Sequence, residues 1–306
     1  MSNKRILSVT GATLAAMLMC SGIARADFTE NFDALTDGTS VNNLTNWSGP
    51  VTASPGADVA VRLNSITNEE SAIVGQVGYG TNSKGVEFNF QDQALRSLTV
   101  SEAVTTAGGP AAFEAKVRIA SIQTNNPGTT NPPIAAGVNH SFTLLIGENL
   151  GYASELVDAT DAVAFAVTFY GGATSSIRVS NGSQGFDPSV AGVFTNLANP
   201  WSVDTWYTVM LSNIALSDSG DGTNVTATLD IINTDTLASL VSGATVTANL
   251  GSAAPGAGAF DQIDSIGLQN IRGNGIATLD DLSLVVPEPA SLALLCLGGL
   301  LMFKRR

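Results

Sequence analysis

The sequence predicts an all-β fold, an antiparallel β-sandwich built from many short strands. Three observations support this prediction. Apolar and polar residues alternate in several short segments, glycine-rich turns separate these segments, and no long amphipathic helix interrupts them. Strands joined by tight turns, without the strand–helix–strand alternation of a parallel sheet, favour two antiparallel sheets packed face to face.

Four of the predicted strands lie in the first part of the domain. Residues 113–119 alternate apolar and charged side chains, which is the period of a half-buried strand. Residues 141–146 and 162–170 are apolar, β-branched or aromatic, and glycines follow both segments. Residues 176–180 alternate again and end at an Asn-Gly pair, which favours a tight turn.

The sequence of the second part of the domain predicts four more strands. Residues 206–214 alternate, and residues 225–232 follow a Gly-Asp-Gly turn, so these two segments should form a hairpin. Residues 263–268 and 277–286 are two further apolar segments with strand composition. Residues 149–161 are the one segment whose composition suits a helical turn.

The N-terminus has the three-part pattern of a secretory signal peptide. Two basic residues are followed by an uncharged apolar stretch, and Ala24-Arg25-Ala26 then provides the small side chains of a cleavage site. We expect signal peptidase to cut after Ala26. Residues 1–26 would therefore form a signal helix that is separate from the sandwich domain, residues 27–286.

The C-terminus combines a short acidic motif, an apolar segment and a basic end. Pro287-Glu288-Pro289 is followed by the apolar residues 290–303, and Lys304-Arg305-Arg306 ends the chain. As a helix, these 14 apolar residues would span about 21 Å, against about 30 Å of hydrocarbon in a bilayer. A short transmembrane helix with its basic end in the cytoplasm would place the domain outside the inner membrane.

This C-terminal order resembles the PEP-CTERM sorting signal over residues 287–306. The resemblance implies processing by exosortase, a membrane-embedded cysteine protease or transpeptidase of Gram-negative bacteria that secrete exopolysaccharide. Exosortase would cut near the motif and release the domain or transfer it to the cell surface. A plain C-terminal membrane tail is the alternative.

The composition of residues 27–286 excludes several classes of protein. This segment contains no cysteine, which excludes a disulfide framework, a cysteine nucleophile and cysteine-ligated zinc. Its 7 basic and 25 acidic residues give a net charge of −18, which repels nucleic acid and anionic membranes. The acidity favours solubility, and it could also attract divalent cations.

Four segments of the domain resemble concanavalin-like and laminin-G-like jelly rolls. They are the opening residues 28–33 with Trp47 downstream, the Trp-Tyr-Thr-Val segment 206–209, and the closing segments 260–268 and 276–284. The resemblance implies that the last strand, with its acidic pair, returns beside the first strand. It also implies glycan or protein binding on one face of the domain, and some relatives are glycosidases.

The sequence contains no recognisable catalytic centre. A glycosidase needs two carboxylates that face one scissile bond, yet the Glu-x-Asp-x-x-Glu spacing of concanavalin-like glycosidases does not occur. Adjacent carboxylates such as Asp280 and Asp281 would point to opposite faces of a strand. His140 is the only histidine, and no Gly-x-Ser-x-Gly segment accompanies it.

Two sets of oxygen ligands are candidate sites for a structural calcium ion. They are Asp218, Asp221 and Asn224 in one loop, and Glu30 with Asp280 or Asp281 at the junction of the first and last strands. The first set is also a common hairpin turn, because Asp-Gly favours tight turns. The second set is implied by the jelly-roll resemblance.

Two tryptophans are candidate sugar-binding residues. Trp201, beside Pro200 in a loop, and Trp47 could stack on the apolar face of a pyranose. Packing inside the domain is the alternative for each of them.

These patterns predict an exported, exosortase-processed protein of the cell surface or extracellular matrix. The domain would be non-catalytic and associated with exopolysaccharide or another glycan. Its partners would be signal peptidase, exosortase and a polysaccharide but no nucleic acid, and residues 290–303 would lie transiently in the inner membrane. The alternative is an extracellular carbohydrate-active enzyme, a glycoside hydrolase or lyase, that uses carboxylates scattered in the sequence.

Overall fold

The computed structural model describes most of the domain and neither of the two predicted terminal helices. The described residues are 25–35, 39–40, 44–48, 60–62, 78–81, 83–88, 93–106, 108–120, 140–148, 150, 162–171, 176–180, 194–197, 200–218, 222–251, 262–271 and 276–287. Among them, no helix has the length and hydropathy that crossing a membrane requires.

The all-β prediction is confirmed, because the regular elements of the described residues are all strands. They are β1 (Arg25–Glu30), β2 (Thr39–Ser40), β3 (Trp47–Ser48), β4 (Ala60–Arg62), β5 (Gly85–Phe88), β6 (Gln93–Ser97), β7 (Val104–Thr105), β8 (Ala111–Ala120), β9 (His140–Glu148), β10 (Ala162–Gly171), β11 (Ser176–Ser180), β12 (Phe194–Asn196), β13 (Trp206–Asp218), β14 (Gly222–Asn233), β15 (Ser239–Gly251), β16 (Gln262–Ile263), β17 (Ser265–Ile271) and β18 (Ile276–Pro287).

These strands form two large antiparallel sheets and one small one. The nine-stranded sheet has the order β15-β14-β13-β8-β18-β5-β4-β2, and β1 also pairs with β18. The seven-stranded sheet has the order β12-β11-β10-β9-β17-β6-β3, and β16 pairs with β7. The first and last strands are therefore neighbours, as the jelly-roll resemblance implies.

The core lies between the two large sheets. Phe88 of the nine-stranded sheet packs against Phe142 of the seven-stranded sheet, with ring centroids 5.5 Å apart. Tyr207 and Phe169 make a second contact across the interface, at 5.7 Å. Each fully buried large apolar side chain contributes roughly 1.5–3 kcal/mol, so this layer holds a cysteine-free domain together.

The predicted strands between residues 113 and 286 match observed strands, and most observed strands are a few residues longer. The hairpin predicted after residue 206 is confirmed, because β13 pairs with β14. A bulge between Ser212 and Ala215 interrupts that pairing, and Asn213 there has a φ of 53°. The helical turn predicted over residues 149–161 lies outside the described residues, except for Leu150.

Candidate functional site

The segment that leads into the acidic motif is the last strand of the nine-stranded sheet. β18 ends at Pro287, and Val286 is buried with 5% of its surface exposed. On one side β8 pairs with β18 as far as Val285, and on the other side β1 pairs with β18 as far as Pro287. The folded sheet therefore ends where the Pro-Glu-Pro motif begins.

A carboxylate cluster lies at the bulge in the middle of β18. The side chain of Asp280 is fully buried; its Oδ2 accepts hydrogen bonds from the Tyr79 N–H at 2.8 Å and the Ser83 hydroxyl at 3.1 Å. Its Oδ1 accepts one from the N–H of Asp281 at 2.8 Å. The Ser83 hydroxyl also lies 3.1 Å from Asp33 Oδ1. Asp280 thus ties residues 78–84 to the sheet.

Asp281 points away from Asp280 and makes a separate set of contacts. Its φ of 47° places it in the left-handed region at the register shift of β18, which a short polar side chain tolerates. Lys116 Nζ lies 2.6 Å from Asp281 Oδ2 and 4.4 Å from the ring centre of Tyr79. The Tyr79 ring also packs edge-on against Trp206, at 5.8 Å.

Burial changes the acidity of Asp280. Its pKa is raised to about 6: desolvation by burial is the largest cause and the negative charge of Asp281 acts in the same direction, whereas the hydrogen bonds from the Tyr79 N–H, the Asp281 N–H and the Ser83 hydroxyl lower the pKa. Because both carboxylate oxygens already accept hydrogen bonds from the protein, Asp280 is placed to hold a backbone segment. It is not placed to give a proton to a substrate.

The Gly78→Ala variant should be strongly destabilised. A Cβ at residue 78 would come within 2.5 Å of the backbone carbonyl of Ser83, so residues 78–84 would have to separate from each other and from Asp280. We expect a loss of about 2–5 kcal/mol in the free energy of unfolding, measured by urea denaturation.

Gly243→Ala is the matched control, because residue 243 has open space around it and a φ of +61°. This variant should lose only about 1 kcal/mol in the free energy of unfolding. Equal losses in the two variants would contradict the close packing of residue 78 against the backbone of Ser83.

A second cluster lies on the outer face of the seven-stranded sheet, the face turned away from the nine-stranded sheet. Gln269 of β17 is aligned with Thr143 of β9, and Thr143 is aligned with Thr168 of β10. All three side chains are buried, and the two threonine hydroxyls are 3.0 Å apart. Leu268, next to Gln269, belongs to the core, so Gln269 lies on the opposite face.

The same line of aligned residues runs across six neighbouring strands of this sheet. Beyond Gln269 it reaches Gln93 of β6, and beyond Thr168 it reaches Arg178 of β11 and Asn196 of β12. We call these six positions the polar row: Gln93, Gln269, Thr143, Thr168, Arg178 and Asn196. At about 4.8 Å between strands the row is about 24 Å long, and none of its six residues is a carboxylate.

Gln269 is the unusual member of the polar row. Only 1% of its surface is exposed, yet neither its amide oxygen nor its amide nitrogen has a hydrogen-bond partner in the described part of the chain. Leaving a buried amide unsatisfied costs about 1–3 kcal/mol. A group with this cost at the centre of a polar row is a candidate for binding a hydroxyl-rich ligand.

Comparison with known families identifies the C-terminal segment. Residues 285–306 match the family model described as the PEP-CTERM protein-sorting motif. The chain ends in a PEP-CTERM sorting motif. The resemblance predicted for residues 287–306 is thus confirmed, and the match includes two further residues of β18, Val285 and Val286. A PEP-CTERM motif implies export, anchoring by the C-terminus in the membrane, and processing by exosortase.

None of the curated proteins matches this PEP-CTERM chain in sequence. Among solved structures it is similar to lectin II from Ulex europaeus, with 10% identity over 85% of this chain and 98% of the lectin and a TM-score of 0.39. Arcelin-5, a lectin-like defense protein from Phaseolus vulgaris, has 9% identity over 86% and 99%, with a TM-score of 0.39. The T. cruzi calreticulin globular domain has 9% identity over 84% and 86%, with a TM-score of 0.44. Scores below 0.5 carry no argument about ligands.

The two tryptophans expected at a sugar site are core residues of the PEP-CTERM protein. Trp201 and Trp47 are each only 5% exposed. Trp201 packs edge-on against Phe169 at 6.1 Å, and Trp47 packs against Phe32 at 6.0 Å. Packing inside the domain was the alternative to sugar stacking for both residues, and it is the arrangement observed: their rings fill the apolar layer between the sheets, where burial is more favourable than exposure.

The candidate calcium ligands do not form one common site in the described residues. Glu30 lies 3.7 Å from the Nε atom of Arg96, whereas Asp280 and Asp281 have the partners given above. The described part of the chain holds no group of three or more His, Cys, Asp or Glu that could hold a metal. Calcium at Glu30 and the acidic pair stays a prediction.

The other candidate calcium set lies around the turn of the β13–β14 hairpin. Asp218 is the last residue of β13 and pairs with Thr223, and Asn224 lies within β14. Asp221 lies outside the described residues. The strands on both sides of this loop support the hairpin turn, and metal binding by the loop remains untested.

The residues that form the two clusters were not singled out from the sequence. Gln269 could have been noticed because it is a long polar side chain directly after the apolar strand residues 266–268. Tyr79 stands between two glycines, which is a signal for a tight turn around an aromatic residue. Their partners could not be predicted, because Thr143 and Asp280 lie more than a hundred residues away in sequence.

Proposed function

We propose that this PEP-CTERM protein is an exported, exosortase-processed component of the cell surface or extracellular matrix, whose β-sandwich is non-catalytic and binds a glycan. The sorting motif at residues 285–306 is the observation that carries the proposal. The polar row, with its unpartnered Gln269, supports the glycan-binding part.

The chemistry of the polar row suits sugar hydroxyls better than ions. A glutamine amide offers two donors and one acceptor oxygen, and each threonine hydroxyl both donates and accepts. Sugar hydroxyls have the same dual character. Because no residue of the row is a carboxylate, it has no anionic ligands for a cation and no acid–base pair for glycoside hydrolysis.

Replacing Gln269 by leucine should lower the affinity for glycan without lowering the stability of the domain. The variant loses the Gln269 amide, which has unfilled hydrogen-bonding capacity, so we expect glycan affinity to fall about tenfold or more. The melting temperature should stay the same or rise, because an unsatisfied buried amide is replaced by an apolar side chain of similar size. Affinity can be measured on arrays of neutral and uronic-acid oligosaccharides and on the producing cell's own exopolysaccharide.

Gln262→Leu is the matched control for this experiment. Gln262 lies on β16, outside the polar row, and its amide is 3.4 Å from Asp264 Oδ2. This variant should bind glycan as the wild-type protein does. If the wild-type protein binds none of these glycans, the binding part of the proposal fails; if Gln269→Leu binds as wild type does, the site is not the polar row.

The carboxylates in the described residues do not favour the alternative of a carbohydrate-active enzyme. Asp280 combines a raised pKa with burial, as catalytic acids often do. Its oxygens, however, are engaged by Tyr79, Ser83 and Asp281. We therefore assign Asp280 to the fold and the glycan contact to the polar row.

A further inference from the structure

We propose that the side chains of Lys116 and Asp281 join through an isopeptide bond, which locks the last strand of the nine-stranded sheet to its neighbour. The direct contact of the two groups carries this inference: Lys116 Nζ of β8 lies 2.6 Å from Asp281 Oδ2 of β18. At an exposed surface such a contact is only a weak ion pair. Here the backbone and the neighbouring aromatic rings hold the two groups in a shielded position.

The bulge in β18 brings Asp281 to the lysine. On a regular strand two consecutive side chains point to opposite faces, so only one of Asp280 and Asp281 could lie beside Lys116. Lys116 is aligned with Asp280, and the pairing of β18 with β8 resumes at Ser283 after a register shift. Within this shift Asp281 has a φ of 47°, and its N–H donates a hydrogen bond of 2.8 Å to Asp280 Oδ1. Asp280 is therefore a positioning residue for the Asp281 carboxylate.

Aromatic side chains shield the amine from water. Lys116 Nζ lies 4.4 Å from the centre of the Tyr79 ring, and this ring packs edge-on against Trp206 at 5.8 Å. Only 19% of the Lys116 side chain is exposed. Transfer of one proton within an ion pair gives a neutral amine and a neutral carboxylic acid, and the loss of the two charges costs least where water is scarce.

The reaction is a condensation that needs no other reactant. The Lys116 ammonium group passes one proton to the Asp281 carboxylate across their hydrogen bond. The neutral Nζ then attacks Cγ of Asp281, the C–OH bond breaks, and the leaving hydroxyl takes a second proton from the nitrogen. The products are one amide and one water molecule. Groups held in contact can react at effective concentrations of about 10⁵ M or more, which favours the amide over the separate groups.

The bond strengthens the part of the sheet that leads to the sorting motif. β18 carries both Asp281 and Pro287, where the motif begins. Any force applied to the C-terminus therefore acts on β18 first. The isopeptide bond passes this force to β8, which lies between β13 and β18 in the sheet. Residues 27–286 contain no cysteine, so no disulfide can do the same.

Mass spectrometry tests the bond, because each bond removes one water molecule. We expect wild-type protein to be lighter by one water than the residues it contains require. Lys116→Met and Asp281→Ala should each have the full mass. Lys84→Met is the matched control, because Lys84 is the other lysine of residues 27–286, and it should keep the deficit. Trypsin does not cut after an acylated lysine, so a digest of wild type should contain residues 97–118 joined to a peptide that begins at residue 273.

Asp281→Asn distinguishes the covalent bond from an ion pair while keeping the shape of the side chain. An asparagine forms the same amide and releases ammonia in place of water, so the linked variant and linked wild type have identical masses. Full mass in wild-type protein would overturn the inference, since the contact would then be an ion pair only. A deficit that remains in Lys116→Met would overturn it as well, because the lost water would come from another site.

Discussion

Replacing Pro287, Glu288 and Pro289 together by alanine should leave the C-terminal anchor, including Arg306, on nearly every molecule. Wild-type protein should instead end between Val286 and Ala290. The physical reason expected from the sequence is that the two prolines cannot continue a helix inward, so Glu288 should lie in an extended segment between the sheet and the predicted membrane helix. Alanines favour continuation of that helix, which would withdraw the backbone from a protease. Intact-mass spectrometry of membrane and secreted fractions measures the effect.

Pro200→Ala is the control for the proline substitutions, because Pro200 is exposed in a loop far along the chain from the motif. Its processing should match that of the wild-type protein. If the triple-alanine protein were trimmed at the same position and to the same extent as wild type, the motif would not be what exosortase recognises, and the C-terminus would be a plain membrane tail.

Asp280→Asn should abolish a pH dependence of stability that the wild-type domain shows between about pH 4 and pH 6. Burial raises the folded-state pKa of Asp280 from 3.8 to about 6, so the folded protein binds this proton more tightly than the unfolded chain does. The resulting stabilisation is fully present below pH 3.8 and is lost as the pH rises through 6. We expect a change of roughly 1–3 kcal/mol in the free energy of unfolding.

The asparagine variant keeps an oxygen that can accept the hydrogen bonds of Tyr79 and Ser83. Its NH2 group replaces the acceptor for the Asp281 N–H, which should lower its stability by the same amount at every pH. The expected signature is therefore the slope: the stability of the variant should not fall between pH 4 and pH 6 as that of wild type does. Urea denaturation from pH 3.5 to 8 in the presence of a chelator measures this difference. Asp204→Asn, which removes one exposed carboxylate elsewhere, should keep the slope of wild type.

Two results would contradict this account of Asp280. The first is an unchanged pH dependence in Asp280→Asn. The second is a rise in the melting temperature of wild type on adding calcium at pH 8 that the variant lacks. That rise would place a metal ion at the carboxylate, as the sequence predicts for the acidic pair, since a bound ion stabilises the folded state by mass action.

The strands that the sequence predicted well are those with a strong local pattern. Phe113, Ala115 and Val117 of β8 are buried, and the residues between them are polar or charged, so the alternation identified both the strand and its inner face. β15 was missed although it has 13 residues. It consists mainly of Ser, Thr, Ala and Gly, and its place in the sheet depends on pairing with β14.

The candidate site was less predictable than the fold, because the residues that form it are far apart in the sequence. The sequence named Asp280 as a carboxylate of interest, but its partners Tyr79 and Ser83 lie about 200 residues earlier in the chain. For Trp201 the sequence left sugar stacking and packing inside the domain open, because a tryptophan beside a proline can pack inward as well as outward. Local composition does not distinguish inward from outward packing of the ring. The edge-on contact between Trp201 and Phe169 does.

By itself, the sequence determined the C-terminal sorting motif and the fold class and predicted a signal peptide, because all three are patterns among residues close together in the chain. Only the tertiary structure decided which distant residues meet: Gln269 with Thr143, Asp280 with Ser83, and Ala26 with Val286. The physical reason is that a period of two specifies the face on which a side chain lies, whereas the neighbouring strand and its register follow from packing the two sheets as a whole.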